Sequence, residues 1–122
     1  MTNRRILVVD DESVTRRVVT HTLKTLDIVV VGAENGTQAL ALADDGDYAM
    51  ALVDINLPDM DGFEVVQRLR ALPHFQETPM VIFTARNQPG DEHHALESGA
   101  VGFFYKPFST QELRTLVKQY LD

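Results

Sequence analysis

An open α/β fold, a parallel sheet flanked by helices, is what this sequence predicts. Five short apolar runs of strand length recur along the chain, and helix-period segments separate them. Within the runs, polar and apolar residues do not alternate. A half-exposed antiparallel strand alternates, whereas a strand covered on both faces is apolar throughout. Strands taking turns with helices along the chain specify the α/β class.

The elements follow in order. Residues 6–9 (ILVV) form the first strand, and Val14, Val18, Val19, Leu23 and Leu26 give the next segment an apolar helical stripe. Residues 28–31 (IVVV) are the second strand. Asn35-Gly36 is by itself a hairpin signal, but residues 37–43 are rich in alanine and leucine, so a second helix is expected there. Residues 49–53 supply the third strand, after which Phe63, Val66, Leu69 and Leu72 recur every three residues in a third helix. Residues 80–83 are the fourth strand. The fourth helix is placed at residues 89–98, with Pro89 in its first turn and Gly99 as its C-terminal cap. Residues 101–105 make the last strand, and Leu113, Leu116, Val117, Tyr120 and Leu121 the apolar face of the last helix.

The bulk composition suits such a domain. The chain has 122 residues, read as one domain over 1–122, and a chain of this size buries roughly two-thirds of its unfolded surface. No cysteine is present, which excludes disulfides, thiol catalysis and cysteine-ligated metal. The opening residues, MTNRRILVVDDE, hold too short an apolar run for a signal peptide or membrane span, so a cytoplasmic location is expected. A net charge of −7 makes the surface repel nucleic acid and anionic lipid. Most of that charge serves solubility, but the acids cluster: Asp10, Asp11 and Glu12 adjoin, and Asp59 and Asp61 lie just beyond Asp54.

In a parallel sheet every strand points the same way, and ligands bind beyond the carboxyl ends. Asp10 and Asp11 follow the first strand, Asp54 the third, Thr84 the fourth and Lys106 the fifth. Taken singly, an aspartate there caps a helix, a threonine fills a strand and a lysine is solvated. Taken together, three carboxylates, a hydroxyl and an ammonium converge on one edge. Two carboxylates about 4 Å apart repel by ~4 kcal/mol at an effective dielectric of 20. One lysine does not offset three acids. A hard divalent ion does, and oxygen-only ligands favour Mg2+ over Zn2+. The four histidines do not compete: His93 and His94 are neighbours on one helix and diverge, and His21 and His74 lie elsewhere. A metal beside an aspartate suggests phosphoryl transfer, with Asp54 attacking in line to give a labile acyl phosphate.

At this point the residues coincide with a known family. ILVVDDE, LVDINLPDMDG, VIFTA and FFYKPF, in this order, resemble the signature segments of the receiver domain of two-component response regulators, over essentially the whole chain. The resemblance implies a flavodoxin-like, doubly wound five-stranded sheet of order 2-1-3-4-5 with five helices. It implies that Asp54 is the phosphoacceptor, and that Asp10, Asp11, Asp54 and the backbone carbonyl of Asn56 hold Mg2+. Thr84 and Lys106 would bind the phosphoryl group, and Pro107 would follow a cis peptide. The donor would be a phosphohistidine of a histidine kinase or a histidine phosphotransfer protein. The chain would catalyse only its own phosphorylation and dephosphorylation, without turning over an external substrate.

Three residues before the lysine the family usually carries tyrosine or another aromatic, and here Phe103 stands, with no hydroxyl to donate. The expected switch is a movement of Thr84 toward the phosphoryl oxygens that frees space for Phe103 and re-poses the face of helix four, strand five and helix five. The polar segment 86–94 leads into helix four with room to shift. The resemblance also allows a dimer that forms on phosphorylation. No output domain follows the last helix within these residues, which suits either a stand-alone receiver or part of a longer regulator or hybrid kinase. Two other classes fit these residues less well. A phosphohydrolase of the haloacid-dehalogenase type would want a second acid two residues after Asp54, where Asn56 stands. A receiver that only binds partners would lack part of the site.

Overall fold

The structure, a computed structural model, describes residues 4–86 and 88–121. β1 (Arg4–Val9), β2 (Ile28–Ala33), β3 (Met50–Val53), β4 (Met80–Thr84) and β5 (Gly102–Tyr105) form one parallel sheet of order β2-β1-β3-β4-β5. Between and after them run α1 (Ser13–Lys24), α2 (Gly36–Ala43), α3 (Gly62–Arg70), α4 (Asp91–Ser98) and α5 (Thr110–Leu121). A short 3-10 turn, Pro73–Phe75, precedes β4. The expected order 2-1-3-4-5 is borne out.

The period-two geometry of a strand splits the core into two halves. Leu7, Val9, Ala51, Val53 and Ile82 face α2, α3 and α4, where Ala39, Phe63, Val66, Leu69 and Ala95 meet them. Ile6, Val8, Met50, Leu52, Val81 and Phe83 face α1 and α5, where Val19, Leu23, Leu113 and Val117 close the layer. Burial on both faces is what makes β1, β3 and β4 apolar without alternation.

Two expectations shift at the margins. The edge strands β2 and β5 are only partly covered, and Val29 and Tyr105 are exposed. An apolar run identifies a strand but not its place in the sheet. In α1 the buried residues are Val19, Thr22 and Leu23, while Val14 and Val18 are 66% and 43% exposed. The helix begins level with the sheet's carboxyl edge, so its first turns overhang the cleft at that edge instead of covering a strand. Val14 and Val18 line a cavity of about 380 Å³ there, together with Glu12, Lys106 and Phe108.

Capping sets the helix starts. Asn35 accepts a hydrogen bond from the Gln38 N–H at 2.7 Å, which is why Asn-Gly opens a helix here instead of a hairpin. Asp61 caps α3 through the Glu64 N–H at 2.9 Å. Ser109 and Glu112 form a reciprocal capping box on α5, at 3.0 and 2.8 Å. The fourth helix starts at Asp91, two residues later than expected. Pro89 lies in the turn before it, and Gly90 adopts a left-handed φ of 87° that no helical residue has. Gly99, at φ 115°, is the C-terminal cap the sequence indicated.

Candidate functional site

The register of the sheet assembles the site. β1 ends at Val9 opposite Val53 of β3, so Asp10 and Asp54 emerge side by side. Val53 pairs with Ile82, and Thr84 with Tyr105, which delivers Thr84 and Lys106 to the same edge. Main-chain bonds fix each end: Asp10 N–H to Ala33 O at 3.0 Å, Asp54 N–H to Val9 O at 2.9 Å, and Lys106 N–H to Thr84 O at 2.9 Å. The register thus brings Asp10, Asp54, Thr84 and Lys106 to one edge of the sheet.

Asp10 is fully buried, Asp54 and Thr84 are buried, and Asp11 is exposed. One carboxylate oxygen from each of Asp10, Asp11 and Asp54 lies within 4.8 Å of the others. Lys106 enters this group from the side, its Nζ 2.5 Å from Asp10 Oδ2 and 3.0 Å from Asp54 Oδ2. Glu12 stands further off, at 3.8 Å. Beneath the ammonium lies the Phe83 ring, 4.8 Å to its centroid, which leaves the charge little water.

Electrostatics are asymmetric across this pair. Complete burial pushes the Asp10 carboxyl up, and the Asp54 charge adds to that; hydrogen bonds from Lys106 and the Glu12 N–H only partly offset them. Burial would depress the Lys106 ammonium, but the Asp10 hydrogen bond and the Asp54 charge outweigh it and raise its pKa. Lys106 gains two carboxylates, while Asp10 gains one ammonium and loses all its water. A concentrated negative site with one cation is therefore left short of positive charge.

The donor set fits a hard divalent ion: three carboxylates, all oxygen, close enough to share one ion and offering an exposed approach through Asp11. Asn56 follows in the loop, its N–H 3.4 Å from Asp54 Oδ1. Thr84 Oγ1 accepts from the Arg86 N–H at 3.2 Å. The Lys106-Pro107 peptide is cis. Phe103 is half-buried against the α2–α3–α4 side of the core, its ring 4.9 Å from that of Tyr105.

Other neighbours were not signalled by the sequence. Gly62 serves by leaving space. A Cβ there would lie 2.1 Å from the main-chain oxygen of Asp54. Asp59 and Asp61, although next to the site in sequence, serve α2 and α3. Arg86 forks onto the buried Asp91 at 3.0 and 2.9 Å, so the segment expected to have room to shift is tied across residues 86–91, and residues 91–94 already belong to α4. Asn87, within that segment, lies outside the described residues. Arg16 donates to the Asp10 carbonyl at 2.7 Å. A basic residue six positions after an acid carries no recognisable spacing signal, and only the α1 geometry brings the two together.

The chain belongs to the response regulator receiver domain family, whose model matches residues 6–118. It is thus a phosphoacceptor module of two-component signalling and not a conventional enzyme. Among curated relatives it is similar to the transcriptional regulatory protein SrrA of Staphylococcus aureus, 36% identical over 119 residues. That match covers 98% of this chain and 48% of SrrA, so the chain spans about half the length of the curated relatives it matches. Among solved structures it is similar to the chemotaxis response regulator CheY4 of Vibrio cholerae, at 32% identity and a TM-score of 0.92, covering 98% of this chain and 100% of that one. The receiver domain of sensor histidine kinase PA1611 from Pseudomonas aeruginosa PAO1 gives 28% identity and a TM-score of 0.89, covering 98% of each chain, and has a magnesium ion coordinated in its active-site cleft. Among the described residues, no helix is long and apolar enough to cross a membrane.

Proposed function

We propose that Asp54 accepts a phosphoryl group from a phosphohistidine of a histidine kinase or histidine phosphotransfer protein, in a reaction that requires Mg2+. The observation that supports this most is the position of Lys106, bridging Asp10 and Asp54 beside a carboxylate cluster with an exposed flank. An Asp54 carboxylate oxygen attacks phosphorus in line. The new O–P bond forms as the P–N bond of the donor breaks, and its electron pair returns to the imidazole. The Lys106 ammonium neutralises one phosphoryl oxygen, and the Thr84 hydroxyl donates to another. Asp10, Asp11, Asp54 and the Asn56 carbonyl would hold Mg2+, which when bound neutralises charge on the transferring group.

The output follows from Thr84. When its hydroxyl turns to the phosphoryl oxygens it leaves the Arg86 N–H, and Phe103 can pack into the space released. Lacking a hydroxyl, Phe103 signals by packing alone. Tyr105, two residues on, bonds Glu92 of α4 at 2.6 Å, so a shift of β5 is felt by α4. The face of α4, β5 and α5 is the surface then read by an output partner, or by a second copy in a dimer formed on phosphorylation. A net charge of −7 disfavours direct nucleic-acid binding by this segment.

Incubation with a small phosphodonor and Mg2+, followed by intact-mass measurement, tests the assignment. One added phosphoryl group that is absent in Asp54→Asn and without Mg2+ is expected. Steady release of phosphate from varied substrates would point to a hydrolase instead, and no labelling at all to a pure binding module.

A further inference from the structure

The acidic pair must be held in a shape as well as in a place. Asp10 is fixed at three points: its N–H to Ala33 O, its Oδ1 to the Glu12 N–H at 2.9 Å, and its Oδ2 to Lys106. Asp11 is exposed, and where its carboxylate points depends on the peptide plane that joins it to Asp10. The carbonyl of that same peptide accepts the Arg16 Nη1–H at 2.7 Å. Rotation of the plane would swing the Cα–Cβ bond of Asp11 away from its neighbours, and the guanidinium opposes that rotation with a charge-assisted hydrogen bond.

Arg16 is itself guided from a second element. Its stem crosses Gly32 of β2, where a Cβ would stand 3.1 Å from Arg16 Cδ. Gly32 pairs with Val8 of β1, and the three atoms nearest to a Cβ placed there all belong to Arg16. We propose that Arg16 is a positioning residue for the divalent ion: by holding the Asp10–Asp11 peptide it sets the Asp11 carboxylate at sharing distance from those of Asp10 and Asp54. This rests on the reading of that cluster as the ion site.

The sign of the effect separates positioning from charge. A guanidinium near a divalent cation repels it, so loss of charge alone would tighten binding. Loss of positioning weakens it. Calorimetric titration of the 122-residue chain with Mg2+ compares the parent, Arg16→Met, Gly32→Ala and the double variant, with thermal melts to establish that each is folded. Arg16→Met is expected to weaken Mg2+ about tenfold, the lower end for partners that orient a metal ligand. Gly32→Ala should weaken it less, and should add nothing in the Arg16→Met background. Unchanged or tighter Mg2+ binding in Arg16→Met would overturn the proposal while leaving the ion site intact; so would equal effects of Gly32→Ala in both backgrounds. Absence of Mg2+ binding by the parent chain would overturn the ion site, and this inference with it.

Discussion

Lys106 stands between Asp10 and Asp54, 2.5 Å from one carboxylate and 3.0 Å from the other, and so ties the end of β5 to the ends of β1 and β3. One ammonium shared by two carboxylates, with a third carboxylate close by, leaves the buried member of the set under-compensated. That imbalance has a measurable consequence. Because the folded state raises the Asp10 pKa, it favours the protonated form, and the stability associated with this group is lost as pH rises from 3.8 through the folded value. A neutral isostere removes that penalty at neutral pH. Asp10→Asn is expected to stabilise the fold by about 1 kcal/mol, a midpoint rise of about 4 °C, and to weaken Mg2+ binding. Thermal melts at pH 7 check this; a lowered midpoint would contradict it.

Asp59 behaves in the opposite sense. It accepts from Thr37 Oγ1 at 2.6 Å and from the Gly36 and Thr37 N–H groups at 2.8 Å, riveting the loop after Asp54 to the start of α2. The Thr37 hydroxyl, then those two N–H groups, hold its pKa down to about 2. A depressed carboxylate contributes stability that is present above 3.8 and lost as pH falls through about 2. Urea midpoints of the parent chain should exceed those of Asp59→Asn at neutral pH, and the difference should close across that window. A constant difference would show that charge plays no part.

Gly62 is required for room. A Cβ there meets three main-chain atoms, Asp54 O at 2.1 Å, Asp54 C at 2.8 Å and Ile55 Cα at 2.9 Å, and backbone cannot step aside as a side chain does. Gly62→Ala is expected to cost about 2–3 kcal/mol and to displace the strand end that carries Asp54. Denaturant unfolding gives the first quantity and amide chemical shifts around Asp54 the second.

Arg86 and Asp91 close the β4–α4 connection. The Arg86 hydrogen bonds hold the Asp91 carboxyl below its usual range, so that carboxylate stays ionised in the folded state. Asp91→Ala should release the first turn of α4 while costing the whole fold only about 1 kcal/mol. Amide hydrogen exchange would then quicken around residues 91–94 but not in β4. Equal acceleration in both would show that the pair supports the sheet itself.

The sequence is most legible where a single physical rule acts. Apolar runs buried on both faces mark β1, β3 and β4, and the shared direction of parallel strands brings Asp10, Asp11, Asp54, Thr84 and Lys106 to one edge before any coordinate is known. Legibility fails where the third dimension decides. Nothing in VVV says that β2 is an edge, and the stripe on α1 cannot show that Val14 and Val18 overhang a cleft. Asp59 looks like one more acid of the site until Gly36, 23 residues earlier, is seen to claim it. Gly62 and Arg16 act by contact with main-chain atoms, which leave no periodicity to find.

The central claim is that the carboxylate of Asp54 becomes an acyl phosphate, and its chemistry allows a direct assay. An acyl phosphate is reduced by borohydride to an alcohol, whereas a free carboxylate and a phosphohistidine are not. After phosphorylation in Mg2+ and borohydride treatment, peptide mass mapping should find homoserine at position 54 and intact aspartate at positions 10 and 11. Homoserine at either of those positions instead, or phosphate retained on a histidine with aspartate unreduced at 54, would contradict the account.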